Sequence, residues 1–175
     1  LAEYLGLINP IGSFILREAC MRCKYWNDFG HPEYKVNVNL SVIQLLQNDI
    51  IDTIKNALTE TEVQPSNLTL EVTEGLAIND MKRMQEVLGE IKKLGVRVAL
   101  DDFGTGYSSL NHIRSMPIDV IKIDKCFVED VGEDVFSEAF VKSVSQLADA
   151  LHMHVCVEGV EDKNQCDALK DMNVD

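Results

Sequence analysis

Polar side chains that can bind a cation or a phosphate occur near the ends of five short apolar segments. They are Asn39, Glu71, the pair Asp101 and Asp102, Lys122 with Asp124, and Glu158. The carboxylate and amide oxygens suit Mg²⁺ or Mn²⁺ better than zinc, which prefers cysteine and histidine. Adjacent carboxylates such as Asp101 and Asp102 can serve two metal ions, which together activate a water molecule and stabilise the leaving oxygen of a phosphodiester.

Lys122 and Glu158 each have more than one chemical use. Lys122 lies between Ile121 and Ile123, and it can hold a nucleophilic water, neutralise charge in a transition state, form an ion pair or form a Schiff base. Glu158 can bind a second metal ion or act as a general base. Glu71 lies inside an apolar segment, where a carboxylate without a partner is costly.

A single acid at the end of a strand has an ordinary structural explanation, since such residues often cap helices or form turns. For one residue taken alone, that explanation is the more common one. Polar groups at the ends of five successive apolar segments are harder to explain in this way. The group as a whole therefore favours a shared site.

The periodicity of the apolar residues predicts an alternation of strands and helices. The predicted helices span 10–28, about 43–59, 80–94, 107–114, 134–151 and 162–171, and the predicted strands span 35–41, 68–72, 96–100, 120–123 and 154–157. Such an alternation implies a parallel sheet. Polar groups on five strands in turn favour an α/β fold of the TIM-like (β/α)8 barrel type over a doubly wound sheet, which concentrates its site at one switch point.

A whole barrel takes about 250 residues, whereas this sequence has 175 and does not begin with methionine. We therefore expect an incomplete barrel with about five complete strands, cut from a longer protein, and no domain boundary within residues 1–175. In the first helix, we expect Ile11, Phe14 and Ile15 to lie in the core. Cys20 and Cys23 are expected to be ordinary positions that share one helix face.

Two further segments do not indicate chemistry of their own. His152 and His154 have strand spacing at the start of a predicted strand, the end of a barrel opposite its active site, so a packing or surface role is expected. The acid pair is followed by the segment FGTGY, which lacks the features of a Walker loop and of a dinucleotide fingerprint. Its Asp-Phe-Gly triplet is shared with protein kinases, but the other kinase motifs are absent. Its two glycines allow a mobile loop.

The composition excludes several classes of protein. Sixteen basic residues against twenty-nine acidic ones give a net charge of −13, which argues against binding of DNA or RNA. A small phosphate ligand remains compatible with this charge if bound cations neutralise it. No apolar run approaches the roughly 18 residues of a membrane span. Five cysteines without disulfide-rich spacing predict a reducing, cytoplasmic setting.

Several segments together resemble one known family. The residues from Asp101 to Leu110, DDFGTGYSSL, resemble position for position a loop of EAL domains. Four more segments resemble other motifs of the family and occur in the same order. They are VNLS at 38–41, LEVTE at 70–74, KID at 122–124 and VEGVE at 157–161, where Val157 replaces the usual alanine. The first eight residues resemble the helix after the family's Glu-Ala-Leu motif, so the resemblance covers essentially the whole chain.

The resemblance implies a phosphodiesterase that hydrolyses the bacterial second messenger cyclic di-GMP to linear pGpG with Mg²⁺ or Mn²⁺, as two ions. By matched position, Asn39, Glu71 and Asp101 would bind the first ion, and Asp101 and Asp102 would share the second. Lys122 would hold the attacking water, and Glu158 would serve as a base or a metal ligand.

The resemblance also implies supporting residues and a partner. Glu74 would brace the loop that contains Phe103, Gly104, Thr105 and Gly106, and the supporting residues would be Asp124 and Glu161. Family members commonly form homodimers, partly through the region of this loop. The domain itself is expected to make no membrane contact, although the parent protein can be tethered through segments outside this sequence.

Two departures from the family pattern affect the predicted activity. The Glu-Ala-Leu motif, with a metal ligand and a substrate-binding arginine, and the last strand are both absent from the 175 residues. We therefore expect this chain alone to be inactive. The alternatives are an inactive EAL domain that senses cyclic di-GMP and a different barrel enzyme that uses Lys122 as a Schiff base. The first alternative is weakened because every visible metal-binding position is intact.

Overall fold

The structure is a computed structural model that describes residues 2–74, 81–106 and 110–174. Two compact units make up the chain. The first unit runs from the start of the chain to Val72 and includes the segment that ends at Val98. The second unit runs from Ala99 onward and includes Thr73 and Glu74.

Helices and strands alternate along the described residues. The helices are α1 (Ile8–Asp28), α2 (Val42–Leu45), α3 (Ile50–Thr61), α4 (Met81–Lys93), α5 (Leu110–Ser115), α6 (Val135–Leu151) and α7 (Lys163–Leu169). The strands are β1 (Val36–Asn39), β2 (Leu68–Thr73), β3 (Arg97–Phe103), β4 (Val120–Ile123) and β5 (His154–Val157). Short 3-10 turns precede β2, at Pro65–Asn67, and follow β4, at Lys125–Phe127.

The five strands form one sheet in the order β1-β2-β3-β4-β5. The pairings of β1 with β2, β3 with β4 and β4 with β5 are parallel. A sequential order without a reversal is that of a (β/α) barrel, whereas a doubly wound sheet reverses its order at a switch point. The predicted α/β class with a parallel sheet is therefore confirmed.

The predicted helix over 43–59 is wrong, because α2 and α3 replace it. Ser41 begins α2 with a capping box, in which its hydroxyl accepts from Gln44 N–H and its own N–H donates to Gln44 Oε1. This cap also ends the preceding strand at Asn39, earlier than the predicted 41. The apolar period continues across the break, so periodicity alone did not reveal it.

The third strand is longer than predicted. The expected strand ended at Leu100, whereas β3 continues through Phe103. Asp101 and Asp102 therefore belong to the strand and not to the following turn. Their acidic side chains masked the strand signal, because aspartate is depleted in strands.

The predicted core face of α1 is wrong. Phe14 is 64% exposed, and Ile11 and Ile15 are also exposed. The buried residues of α1 are Leu16, Cys20 and Cys23. Their spacing of four and three residues forms one stripe, so α1 carries two apolar stripes and the sequence did not indicate which one is covered. The shared face of Cys20 and Cys23 is confirmed, and burial raises the pKa of the Cys20 thiol to about 11.

The two histidines do not share a strand face as predicted. His154 begins β5, but His152 is the C-cap of α6 with a left-handed backbone, φ 59°. A helix commonly ends with one residue in this conformation, and the strand begins only after it. None of the helices in the described part of the chain has the length and hydrophobicity that a membrane crossing requires.

Because one apolar stripe of α1 is buried and the other is exposed, equal truncations in the two stripes should lower the free energy of unfolding by different amounts. We expect Leu16→Ala to lower the free energy of unfolding by about 2–5 kcal/mol, because it opens a cavity in the core. Ile11→Ala removes the same number of methyl and methylene groups from an exposed position, and we expect a loss below about 1 kcal/mol. Urea denaturation of the two variants measures the difference. Equal losses would contradict the assignment of the buried face.

Candidate active site

The first unit places an amide and a carboxylate side by side on β1 and β2. Asn39 is paired with Glu71 in the parallel register of the two strands. Glu71 is buried, and its Oε1 accepts a hydrogen bond of 2.9 Å from Asn37 Nδ2. The main-chain carbonyl of Glu71 accepts from Leu40 N–H at 2.8 Å. Glu71 is thus held at a fixed position at the carboxyl end of this strand pair.

The contact between Asn37 and Glu71 was not anticipated from the sequence. Residues two apart in a strand lie on the same face, and β1 alternates so that Asn37 and Asn39 are exposed while Val38 is buried. The repeat Asn-Val-Asn was therefore the signal for a second amide on the face of Asn39. Asn37 lies inside β1 and not at its carboxyl end, so its position alone did not mark it as a site residue.

The second unit buries a lysine between two carboxylates. Lys122 Nζ lies 2.8 Å from Asp101 Oδ1 and 2.7 Å from Glu158 Oε1. Lys122 is 7% exposed and Asp101 is 8% exposed, whereas Glu158 is only partly covered. Three adjacent strands supply these groups, because Asp101 lies in β3, Lys122 in β4 and Glu158 directly after β5. Burial of an ammonium group is tolerated when opposite charges surround it in this way.

A bulge in β3 sets the direction of the acid pair. Leu100 pairs with Ile121 and Phe103 pairs with Ile123. Between these two pairs β3 therefore contains one residue more than β4. The extra residue allows Asp102 to take a left-handed backbone, φ 55°, which aspartate tolerates better than most residues. Bulges of this kind re-aim side chains and occur beside active sites.

Burial and the neighbouring charges both act on the carboxyl group of Asp102. Burial raises the pKa of the Asp102 carboxyl above its ordinary value. The Lys122 ammonium opposes this shift, whereas three carboxylates add to it, those of Asp101, Asp124 and Glu158. In a regular strand, Asp101 and Asp102 would lie on opposite faces. The bulge instead brings both into one acidic cluster.

The loop after β3 is held by Glu74. The buried carboxylate of Glu74 accepts from Gly104 N–H at 2.8 Å and from Gly106 N–H at 3.0 Å, both at Oε2. The main-chain N–H of Glu74 donates to the Asp101 carbonyl at 3.0 Å. Thr105 adds a hydrogen bond from its hydroxyl to the Asp102 carbonyl. Because hydrogen bonds to a carboxylate are charge-assisted, Glu74 ties the loop firmly to the strand of the acid pair.

The remaining expected site residues lie at different distances from the cluster. Phe103 is buried at the end of β3. Asp124 caps the turn after β4 by accepting from Cys126 N–H, and hydrogen bonds from the side chain and then the main chain of Cys126 lower the pKa of its carboxyl. Glu161 is exposed, its N–H donates to Gln165 Oε1, and its side chain makes no contact with the cluster among the described residues. This main-chain contact lies in the turn before α7, at the start of that helix.

The chemistry of these donors fits a hard divalent cation. Asp101 Oδ1 is buried and makes no hydrogen bond within the described ranges, although Lys122 Nζ is 2.8 Å away. The contact is therefore an ion pair without hydrogen-bond geometry, and it leaves the oxygen able to bind a cation. Within those same ranges, no three His, Cys, Asp or Glu side chains are gathered closely enough to hold a metal by themselves. Amide or water ligands would have to complete the set.

The raised pKa of Asp102 predicts a pH-dependent stability. A carboxyl whose pKa is raised in the folded state loses its proton less readily there, so stability falls as the pH rises from the ordinary value of 3.8 to the folded pKa. The penalty is then fully present at neutral pH. In buffer with EDTA, we expect Asp102→Asn to raise the free energy of unfolding at neutral pH, because a neutral amide avoids both the cost of burying a charge and the repulsion by neighbouring carboxylates.

Urea denaturation at neutral and acid pH provides the measurement. The advantage of Asp102→Asn should shrink as the pH falls below the folded pKa of Asp102. Asparagine and aspartate both tolerate a positive φ, and such a backbone preference does not depend on pH. An advantage that is unchanged at acid pH would thus contradict the electrostatic explanation.

The sequence of this chain is similar to those of known proteins. The model of the EAL domain family matches residues 1–175. The bifunctional diguanylate cyclase/cyclic di-GMP phosphodiesterase MucR of Pseudomonas aeruginosa is 38% identical over 169 residues, which are 97% of this chain and 25% of MucR. The signaling protein YkoW of Bacillus subtilis is 36% identical over 174 residues, which are 99% of this chain and 22% of YkoW. The chain thus spans a quarter or less of these relatives.

Solved structures agree with the fold. The PaMucR phosphodiesterase in its c-di-GMP complex has a TM-score of 0.94 and 36% identity, over 99% of this chain and 70% of that chain. The EAL domain of Mycobacterium smegmatis DcpA has a TM-score of 0.88 and 31% identity, over 92% of this chain and 73% of that chain. The predicted TIM-like barrel, of which the described residues form five strands, is confirmed. With a family model that matches every residue and solved relatives of the same fold, the chain belongs to the EAL domain family.

Proposed function

We propose that the protein containing this chain is a metal-dependent phosphodiesterase that hydrolyses cyclic di-GMP to linear pGpG. The single observation that carries the proposal is the buried Lys122, held between Asp101 and Glu158 with Asp102 in the same cluster. Membership of the EAL domain family supports it. MucR, the relative described above, is named a cyclic di-GMP phosphodiesterase, and its solved domain is a complex with c-di-GMP.

The metal-binding residues of the proposal are the oxygen donors at the strand ends. Asn39, Glu71 and Asp101 would hold one Mg²⁺ or Mn²⁺ ion, and Asp101 with Asp102 would hold a second. When bound, such ions supply a Lewis acid and lower the pKa of a water molecule. The support from the structure is Asp101 Oδ1, which makes no hydrogen bond among the described residues and pairs only by charge with Lys122, and the fixed position of Glu71 against Asn37.

Lys122 and Glu158 would carry the proton chemistry and the charge stabilisation. Lys122 orients the attacking water and offsets the negative charge that develops on the phosphate, an effect that is strong in a site with little water. Glu158 is partly exposed, so it can reach a water molecule and take its proton as a general base, or bind metal. The Schiff-base alternative is disfavoured, since two adjacent carboxylates stabilise the ammonium form of Lys122 and a Schiff base requires the neutral amine.

Glu74 and the glycine loop, the segment after β3 that contains Gly104 and Gly106, would hold Asp101 and Asp102 in position. The Glu74 main chain is bonded to Asp101, and its carboxylate holds Gly104 and Gly106. An added Cβ at Gly106 would lie 3.0 Å from Glu74 Cδ, so this glycine permits the close approach. Precise placement of catalytic groups depends on supporting contacts of this kind.

The proposal extends to the setting of the domain. Residues 1–175 would be an EAL domain without the strands that carry the Glu-Ala-Leu motif and without the last strand, within a larger cytoplasmic protein. The domain would act on cyclic di-GMP as a homodimer, and it would not bind DNA, RNA or a membrane. The acidic net charge of −13 supports the absence of nucleic-acid binding.

An assay of the whole parent protein tests the proposed function. With Mg²⁺ or Mn²⁺ present, we expect the protein to release pGpG from cyclic di-GMP, and chromatography measures this product. Addition of EDTA should abolish turnover. Glu71→Ala should lower turnover by more than the roughly 10–100-fold that residues supporting metal ligands contribute. Glu90→Ala, which removes an exposed carboxylate of α4, serves as the control and should leave turnover unchanged.

The outcome also separates the enzyme from a sensor. Tight binding of cyclic di-GMP without turnover under every metal condition would overturn the proposed hydrolysis and indicate an inactive EAL domain. Turnover that survives both EDTA and Glu71→Ala would overturn the metal-dependent mechanism.

A second assay tests the proposed extent of the domain. We expect the 175-residue chain alone to release no pGpG, because a metal ligand and a substrate-binding arginine of the family pattern lie in the Glu-Ala-Leu segment. The parent protein at equal concentration is the positive control. Release of pGpG by the isolated chain at a rate comparable to the parent would sink this prediction.

A further inference from the structure

Two phenylalanine rings, one from the turn after β4 and one from α6, lie against Gly104 in the loop after β3. A Cβ added to Gly104 would lie 2.5 Å from a ring atom of Phe127 and 2.7 Å from Cζ of Phe140. Gly104 has φ 101°, a left-handed conformation in which a side chain would be strained. The loop backbone therefore lies directly against the two rings, at a distance that only glycine permits.

The two rings form one stacked unit with fixed origins. The ring centroids of Phe127 and Phe140 are 4.0 Å apart with an angle of 18° between the planes. Phe127 ends the turn after β4, and Phe140 lies in the second turn of α6. Phe103, the last residue of β3, is 6.4 Å from Phe140 between ring centroids. The stack thus links β3, the turn after β4 and α6.

The loop is fixed by a polar contact and an apolar contact together. Glu74 holds the N–H groups of Gly104 and Gly106, but hydrogen bonds to one carboxylate oxygen allow a glycine segment to pivot about that oxygen. Glycine has the largest backbone freedom of any residue. The rings of Phe127 and Phe140 restrict that pivot, and they do so two residues from Asp102, whose own positive φ is maintained by its surroundings.

We propose that Phe127 and Phe140 are positioning residues for the reaction, which set the position of Asp101 and Asp102 by packing against Gly104. The contribution to turnover rests on the proposed phosphodiesterase function. The restriction of the loop rests on the packing alone, so it can be tested whether or not the protein hydrolyses cyclic di-GMP.

Two control variants separate positioning from general stability. Val144 is buried on α6, one turn beyond Phe140, and none of its atoms is among the three nearest to a Cβ at Gly104. Val144→Ala therefore removes apolar contacts from the same helix and leaves the two rings in place. Phe136 is 65% exposed, and its ring stacks with that of Phe140 at a centroid distance of 6.4 Å. Phe136→Ala therefore removes a ring of equal size whose atoms are not among the three nearest to a Cβ at Gly104.

The first measurement is hydrogen exchange of the Gly104 and Gly106 amides in the whole protein. We expect Phe140→Ala to accelerate exchange of these two amides by about tenfold or more, since their protection reports local opening of the loop. Phe140→Leu, which keeps an apolar branched side chain near Gly104, should restore part of the protection. Val144→Ala and Phe136→Ala should leave the exchange of both amides within about twofold of the wild type.

The second measurement is steady-state turnover of cyclic di-GMP by the same variants. We expect Phe140→Ala to lower kcat by about tenfold while KM changes by less than about twofold, the pattern of a change in transition-state placement. Failure of the wild type to hydrolyse cyclic di-GMP would overturn the proposed function, and the exchange experiment would still decide the restriction of the loop.

Three results would overturn the inference. The first is exchange of Gly104 and Gly106 that is no faster in Phe140→Ala than in Val144→Ala. The second is faster exchange with unchanged kcat in an active enzyme, which would leave Phe140 as a packing residue only. The third is an equal loss of kcat in Val144→Ala, which would indicate general destabilisation.

Discussion

The burial of Lys122 between Asp101 and Glu158 is the constraint around which the second unit is organised. An ammonium group that is 7% exposed loses most of its hydration, so it requires nearby negative charge to remain ionised. Asp101 and Glu158 supply this charge at 2.8 and 2.7 Å. Because the three residues come from β3, β4 and the end of β5, the electrostatic requirement also fixes how these strands end relative to one another.

The acid pair depends on a local distortion that a regular strand could not provide. One extra residue in β3 and the positive φ of Asp102 direct two consecutive carboxylates into one cluster. Burial, together with the repulsion of like charges there, raises the pKa of Asp102. The loop that follows the distortion is bound by Glu74 through Gly104 and Gly106, and the rings of Phe127 and Phe140 lie against Gly104. Strain at a site is maintained by the contacts around it.

Much of the fold could be predicted from local patterns, and the failures have physical causes. The strands at 120–123 and 154–157 matched the structure because their apolar runs are bounded by turn residues. The helix over 43–59 failed because a side-chain cap at Ser41 and Gln44 outweighs periodicity. The core face of α1 failed because Phe14 and Leu16 belong to two apolar stripes, and only the packing of the whole unit determines which stripe is covered.

The sequence by itself determined the family, the parallel α/β architecture and the identity of the polar groups at the strand ends, because these depend on residue types and spacing. Tertiary structure decided which groups meet: the ion pairs of Lys122, the contact of Asn37 with Glu71 and the packing of Phe127 and Phe140 on Gly104. Such contacts join residues that are far apart in the chain. Their distances follow from strand register, a bulge and ring packing, none of which is encoded by a local pattern.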